Sequence, residues 1–326
     1  MIETGLALLL AVHLLLVNLA MGGPLVCLWL EVRFTRHGDA AAGLVGRTLA
    51  RDSLTALAAA IALGALMLAV LWLRGDTRYF QALGVIPQSR LWFSLAELVF
   101  YFVVQGVYLW RWDRPRARWL HRTLAVLAAT DLMLHFPPLF VIIAALTRAA
   151  GPLTETLDRQ AFYELLLDPQ TVSRVLHVWL SSLAVAGAVV MIYCLRLLKS
   201  HQVPAADTAR LVAGGARVAL SATLLQLPVG VWVLVELPSP SRERLLGGDL
   251  PGTLVFGVSL VAAFGLLHHL AAAALGDVEP AQVRRTCGLM TLVVVLMTWV
   301  MARADRREMP PSLPDASTVP AQIRQV

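Results

Sequence analysis

The sequence is short of charge and of cysteine. Only 15% of its residues are Asp, Glu, Lys or Arg, where a soluble domain carries about 25%, so an ordinary water-facing globular surface is excluded. The cysteines are Cys27, Cys194 and Cys287, each isolated in an apolar segment, and no CxxC or CxxCH occurs. That excludes a cysteine zinc site, a dithiol redox motif and covalent c-type haem attachment; each cysteine reads as a small hydrophobe. No internal repeat is visible. A cleaved leader is not expected either, because the first apolar block, Thr4–Leu30, exceeds a signal-peptide core and no basic residue precedes it.

What is present is apolar. Hydrophobic residues make up 58% of the chain, and the mean hydropathy is +0.70. They fall into long blocks bracketed by charges, which predicts an all-α integral membrane bundle of about eight transmembrane helices in contact with membrane lipid. The predicted spans are Thr4–Leu30, Ser53–Leu73, Leu91–Trp110, Thr123–Thr147, Val175–Tyr193, a sixth from near Thr208 to Val235, Pro251–Gly276 and Thr286–Ala302. The connectors after spans 1, 3, 5 and 7 hold 15 of the 27 Lys and Arg residues. By the positive-inside rule those connectors are cytoplasmic and both termini lie outside. The pI of 9.8 is a topological signal on this reading, and no nucleic-acid partner is implied. The bundle is assigned to residues 1–303, and the polar, Pro-containing tail 304–326 has no fold of its own. Pro137-Pro138 is expected to break or kink span 4, and Pro228 to disturb span 6 more mildly. A short surface helix is expected around Gln160–Leu167, in the longest outer connector.

Polar groups within a membrane are costly, so each is a functional candidate. They are His13, Glu97, Asp131, His135, His177, His268 and His269. His37, His121 and His201 fall in basic connectors and read as solvated. Several intramembrane histidines on different helices suit a haem or metal held in a bundle core. At the usual helical rise, His13 and His135 lie roughly 13 and 18 Å below the outer surface, and His177 within about 6 Å of it. His268 and His269 sit about 12 Å from the inner one. His13 and His135 can thus share one macrocycle if spans 1 and 4 face each other, whereas His177 and His268 cannot ligate one iron. The plain alternative for each is a hydrogen bond to a carbonyl of a neighbouring helix; the depth of His268 and His269 also suits a quinone headgroup. Asp131, one turn before His135, is placed to orient that imidazole or to carry protons. Glu97 is placed to bind a proton or a quinol hydroxyl, with a structural hydrogen bond as the alternative.

Three stretches resemble subunit I of the cytochrome bd quinol oxidases. The most specific is Tyr163–Leu198, YELLLDPQTVSRVLHVWLSSLAVAGAVVMIYCLRLL, which is similar to the family's segment before and through its fifth helix. The resemblance implies that His177 is an axial ligand of a low-spin b haem. The opening helix, AVHLLLVNLAMGGPLVCLWLEV, is similar to the family's first helix, in which the residue matching His13 ligates the oxygen-reducing haem. YLWRWDRPRARWLHR resembles the basic turn after the third helix. The resemblance covers roughly residues 8–235.

The departures narrow what it implies. The outer loop between helices 6 and 7, tied to quinol oxidation in the family, is reduced to Leu237–Leu250. The methionine completing the low-spin haem aligns near Ser259; Met297 and Met301 are the candidate substitutes. The late Glu ligand and the Gly-Arg-Gln-Pro-Trp signature are missing, with Met301–Met309 in their place. The third-helix carboxylates are out of register, Glu97 being nearest, and one helix fewer is present. The expectation is therefore a shortened relative acting as a b-type cytochrome in the bacterial inner membrane. It would carry two haem b groups and pass electrons between the quinone pool and a periplasmic-side partner, a c-type cytochrome or another redox subunit. A compact bd-type quinol oxidase and a haem-free transporter or scaffold subunit are the alternatives.

Overall fold

The computed structural model describes residues 2–113, 117–149, 151, 153–200 and 203–305. Among these, the chain forms helices α1 (Ile2–His37), α2 (Ala40–Leu73), α3 (Thr77–Gly84), α4 (Gln88–Trp110), α5 (Arg118–Arg148), α6 (Arg159–Leu167), α7 (Pro169–Ser200), α8 (Ala205–Val235), α9 (Ser239–Glu243), α10 (Leu250–Leu275) and α11 (Pro280–Ala304). Eight are long and apolar enough to cross a membrane: α1, α2, α4, α5, α7, α8, α10 and α11. The expected bundle is therefore present. The short helix expected around Gln160–Leu167 is also found, as α6.

The spans are longer than charge bracketing predicts. α1 runs to His37 and α2 begins at Ala40, so only Gly38 and Asp39 make the turn. Gly38 adopts φ 66°, and Asp39 caps α2 by accepting from the Ala42 amide while its other oxygen pairs with Arg33 at 2.7 Å. Charges mark where a helix leaves the hydrocarbon, not where it ends, because long basic side chains reach into the headgroup zone. The polar tail lies outside the described residues from position 306, as does His201.

The expected break at Pro137-Pro138 does not occur, and α5 is continuous through both prolines. Proline removes the amide that would have bonded the carbonyl four residues back. For Pro137 that carbonyl belongs to Met133, and Trp179 Nε1 of α7 donates to it at 2.7 Å. The same repair appears in α1, where Pro24 frees the Ala20 carbonyl and the Tyr101 hydroxyl of α4 donates to it at 2.9 Å. In hydrocarbon a neighbouring helix can supply such donors, as α7 does for Met133 and α4 for Ala20.

α1 packs against α2, α5, α7 and α11; α7 pairs with α8, α4 with α5, and α10 with α8 and α11. Two groups of four spanning helices thus meet along α1 and α7. Close approach at this seam depends on small residues: a Cβ on Gly22 would lie 2.1 Å from the Ser182 carbonyl oxygen. Within the second group, Gly187 and Gly215 meet almost backbone to backbone. α3, α6 and α9 lie at the end of the bundle where α1 starts, here termed the N-terminal face. α9 joins α10 through a π-type turn, Arg244–Gly248, in which Gly247 takes φ 133°. α9 and this turn make the connection between α8 and α10.

Candidate functional site

His13, on α1, is held by α2. Its Nδ1 donates to the Ala60 carbonyl at 2.9 Å. The hydrogen bond fixes the tautomer and leaves Nε2 with its lone pair, the arrangement found in metal-bound histidines. One turn along α2, Gly64 lies beside the ring: a Cβ there would sit 3.4 Å from His13 Cε1. A larger residue would cover that side of the imidazole.

His177, on α7, has a matching neighbour on α8. A Cβ at Gly230 would lie 3.8 Å from its Cε1, so again a glycine leaves the imidazole uncovered. The hydrogen bonding differs. Gln226 Nε2 reaches His177 Nε2 at 3.5 Å and binds Ser181 Oγ more closely, at 2.6 Å. His177 Nδ1 is buried with no partner. An orphaned nitrogen in a membrane interior costs about 1–3 kcal/mol, and metal ligation is a standard way to satisfy an imidazole. The two histidines therefore fit iron ligation by different routes: one ring nitrogen is kept available by a carbonyl, the other lacks a protein partner.

The structure brings Glu97, Asp131 and His135 together. Their ligand atoms lie within 4.8 Å of one another, between α4 and α5. His135 Nδ1 donates to the carbonyl of Asp131 at 3.0 Å, with Glu97 Oε2 at 3.5 Å and Asp131 Oδ1 at 3.7 Å. Phe93 meets the ring edge-on, centroids 5.2 Å apart. Both Asp131 carboxylate oxygens are buried and accept no hydrogen bond. α1 and α5 are in contact, as sharing a macrocycle requires, but His13 is fixed by α2 and His135 by its own helix beside α4.

The later candidates take other positions. His269 Nδ1 donates to Gln282 Oε1 at 3.0 Å, and Gln282 Nε2 returns a bond to the His269 carbonyl at 3.3 Å. This reciprocal clamp joins α10 to α11, the plain role foreseen as the alternative. His268 lies on the exposed side of α10, its ring 5.5 Å from that of His269. Met301 packs on the apolar cluster of Leu237, Leu245, Val300 and Ala304 at the N-terminal face, and Met297 is half-buried one turn further into the bundle. Ser259, where the family's methionine aligns, is buried with its hydroxyl bonded to the Val255 carbonyl.

One reading is corrected. His121 is not a solvated connector residue; it is 3% exposed, in the first turn of α5. Its Nε2 donates to the Tyr108 carbonyl at 2.9 Å, and its Nδ1 lies in hydrogen-bond contact with Glu31 Oε2 at 3.0 Å. The Tyr108 hydroxyl donates to the same Glu31 oxygen at 3.2 Å, its ring stacks on His121 at 4.2 Å, and Arg122 Nε lies 3.5 Å from Glu31 Oε1. Basic neighbours made His121 look exposed. The available signal was Glu31, an acid within the apolar run LWLEV that needs a cationic partner.

Comparisons with known proteins agree with this architecture. The family model for cytochrome bd terminal oxidase subunit I matches residues 4–237. No curated protein matches the chain. Among solved structures, the bd oxidase from Geobacillus thermodenitrificans superposes with a TM-score of 0.71 at 16% identity, covering 93% of this chain and 85% of the other. The chain therefore belongs to the cytochrome bd terminal oxidase subunit I family, and it is a multi-pass protein of the bacterial inner membrane, of the quinol oxidase electron-transfer type.

Proposed function

We propose that the chain is a haem b electron-transfer subunit that relays electrons between the quinone pool and a redox partner at its N-terminal face. That face is outward by the distribution of Lys and Arg. The partner is a c-type cytochrome or another redox subunit. Haem supplies one-electron chemistry when bound. The chain's residues supply ligation and environment: His13 and His177 hold two irons, with Met297 and Met301 as the thioethers in the last two turns of α11, toward the N-terminal face. The observation that carries this reading is the pair of imidazoles on α1 and α7. Each lies against a glycine of the next helix, one with Nε2 kept available and the other with a buried nitrogen unpaired.

A pyridine-haemochrome assay on the purified protein and on His13→Ala and His177→Ala tests it. Each variant is expected to lose one haem and keep the other; wild-type protein without Soret absorbance would leave the scaffold reading in its place.

The second reading, oxygen reduction at the His13 haem, draws support from the buried carboxylate of Asp131 beside Glu97 and His135. These groups can hold protons of the kind oxygen reduction consumes. On that reading His135 and its carboxylates stay in a proton role and His13 is the sole protein ligand of its haem. Carbon monoxide added to the dithionite-reduced protein separates the two: a large spectral shift with oxygen uptake supports the oxidase, an inert low-spin spectrum the relay.

A further inference from the structure

At the N-terminal face, α5, α7 and α11 bring two arginines onto one aspartate. Arg148 Nη1 lies 3.0 Å from Asp305 Oδ2, and Arg174 Nη1 lies 3.9 Å from the same oxygen. The other Asp305 oxygen accepts from the Ser241 hydroxyl at 3.2 Å. The two guanidinium side chains are only 16% and 14% exposed. Arg148 Nη2, Arg174 Nε and Arg174 Nη2 are buried with no hydrogen-bond partner. One aspartate therefore faces two permanent cations, and three donors remain unsatisfied in a site that largely excludes water. Buried charges are normally paired and hydrogen-bonded. The remaining charge is positive and the donors are planar and forked, which suits a carboxylate.

Position identifies whose carboxylate. Arg174 lies three residues before His177 on α7, so both side chains occupy one face of the helix, with the arginine nearer the membrane surface. A macrocycle held at His177 with its polar edge toward the N-terminal face would bring its propionates to this level. We infer that Arg148 and Arg174 form a cradle for the propionate carboxylates of the haem at His177. The inference rests on the reading that His177 holds a haem. Asp305 is the counter-ion that sets the charge left for the ligand, making the arginines positioning residues for the cofactor that also raise its reduction potential.

The test is potentiometric titration with haemochrome quantification on Arg174→Gln, Arg148→Gln, Arg174→Lys and Asp305→Asn. The two glutamine variants are expected to lower the midpoint potential of the His177 haem or to lose that haem alone. Arg174→Lys keeps the charge and should restore most of the potential. Asp305→Asn should move the potential upward, opposite to the arginine variants. A purely structural ion-pair cluster predicts instead that Asp305→Asn and the arginine variants fail together and in the same direction, which would overturn the inference. So would wild-type potentials and haem content in both glutamine variants; if those variants also lost co-purifying anionic phospholipid, the cradle would be assigned to a lipid headgroup. Absence of haem from the wild type defeats the functional reading itself, an outcome distinct from all of these.

Discussion

The two ends of the bundle hold buried polar clusters that differ in how their histidines are satisfied. At the end away from the N-terminus, Glu31, Tyr108, His121 and Arg122 face one another, and both nitrogens of His121 have partners within 3.0 Å. At the N-terminal end, His177 leaves Nδ1 unpaired and Arg148 and Arg174 leave three donors unpaired. The first cluster ties α1, α4 and α5 together, with Glu31 Oε1 and Arg122 Nε, 3.5 Å apart, paired by charge but without a hydrogen bond. The second keeps donors that have no hydrogen-bond partner among the described residues. The difference shows that rarity in a membrane does not by itself mark a cofactor site: both ring nitrogens of His121 are engaged by protein groups, whereas His177 Nδ1 has no hydrogen-bond partner.

This contrast can be broken at either end. The largest effect is expected for His177→Ala, which should abolish one haem while His121→Ala leaves both in place; equal haem loss in the two variants would erase the distinction. Next in size, His121→Ala removes the hydrogen-bonded partner of a buried carboxylate and should destabilise the protein by about 3–5 kcal/mol, read as a lowered melting temperature in detergent. A melting curve matching the wild type would mean that Glu31 is satisfied in some other way. Trp179→Phe strips the donor from the Met133 carbonyl that Pro137 frees, at a cost of about 1–3 kcal/mol, whereas the same change at exposed Trp110 should be silent. The smallest effect belongs to Asp113→Asn. Its pair with Arg47 is 57% and 60% exposed, so a loss of about 0–1 kcal/mol is expected, and a larger one would show that this connector is buried against a partner.

Much of this was legible in the chain itself. All eight spans, the α6 surface helix and the histidines at 13, 135 and 177 follow from hydropathy and residue type. The proximity of Asp131 to His135 follows from helical spacing alone, since four residues make one turn. Glu97 joining them depended on how α4 docks on α5 and had no local signal. His121 was misread for a related reason: Arg118 and Arg122 beside it suggested water, yet the helix turns His121 inward toward Glu31. The continuous α5 was missed because a proline rule considers one helix, and its exception lies on another.

Hydrophobic length is a local property, since a helix needs only its own residues to span the hydrocarbon and satisfy its backbone. The sequence by itself therefore determined that this chain is a membrane bundle and which residues are polar within it. Whether a polar group is satisfied is a property of pairs distant in the chain, such as Glu31 and His121, 90 residues apart, or Met133 and Trp179, 46 apart. Only the tertiary structure decided that both ring nitrogens of His121 meet protein partners while Nδ1 of His177 is left without a hydrogen bond.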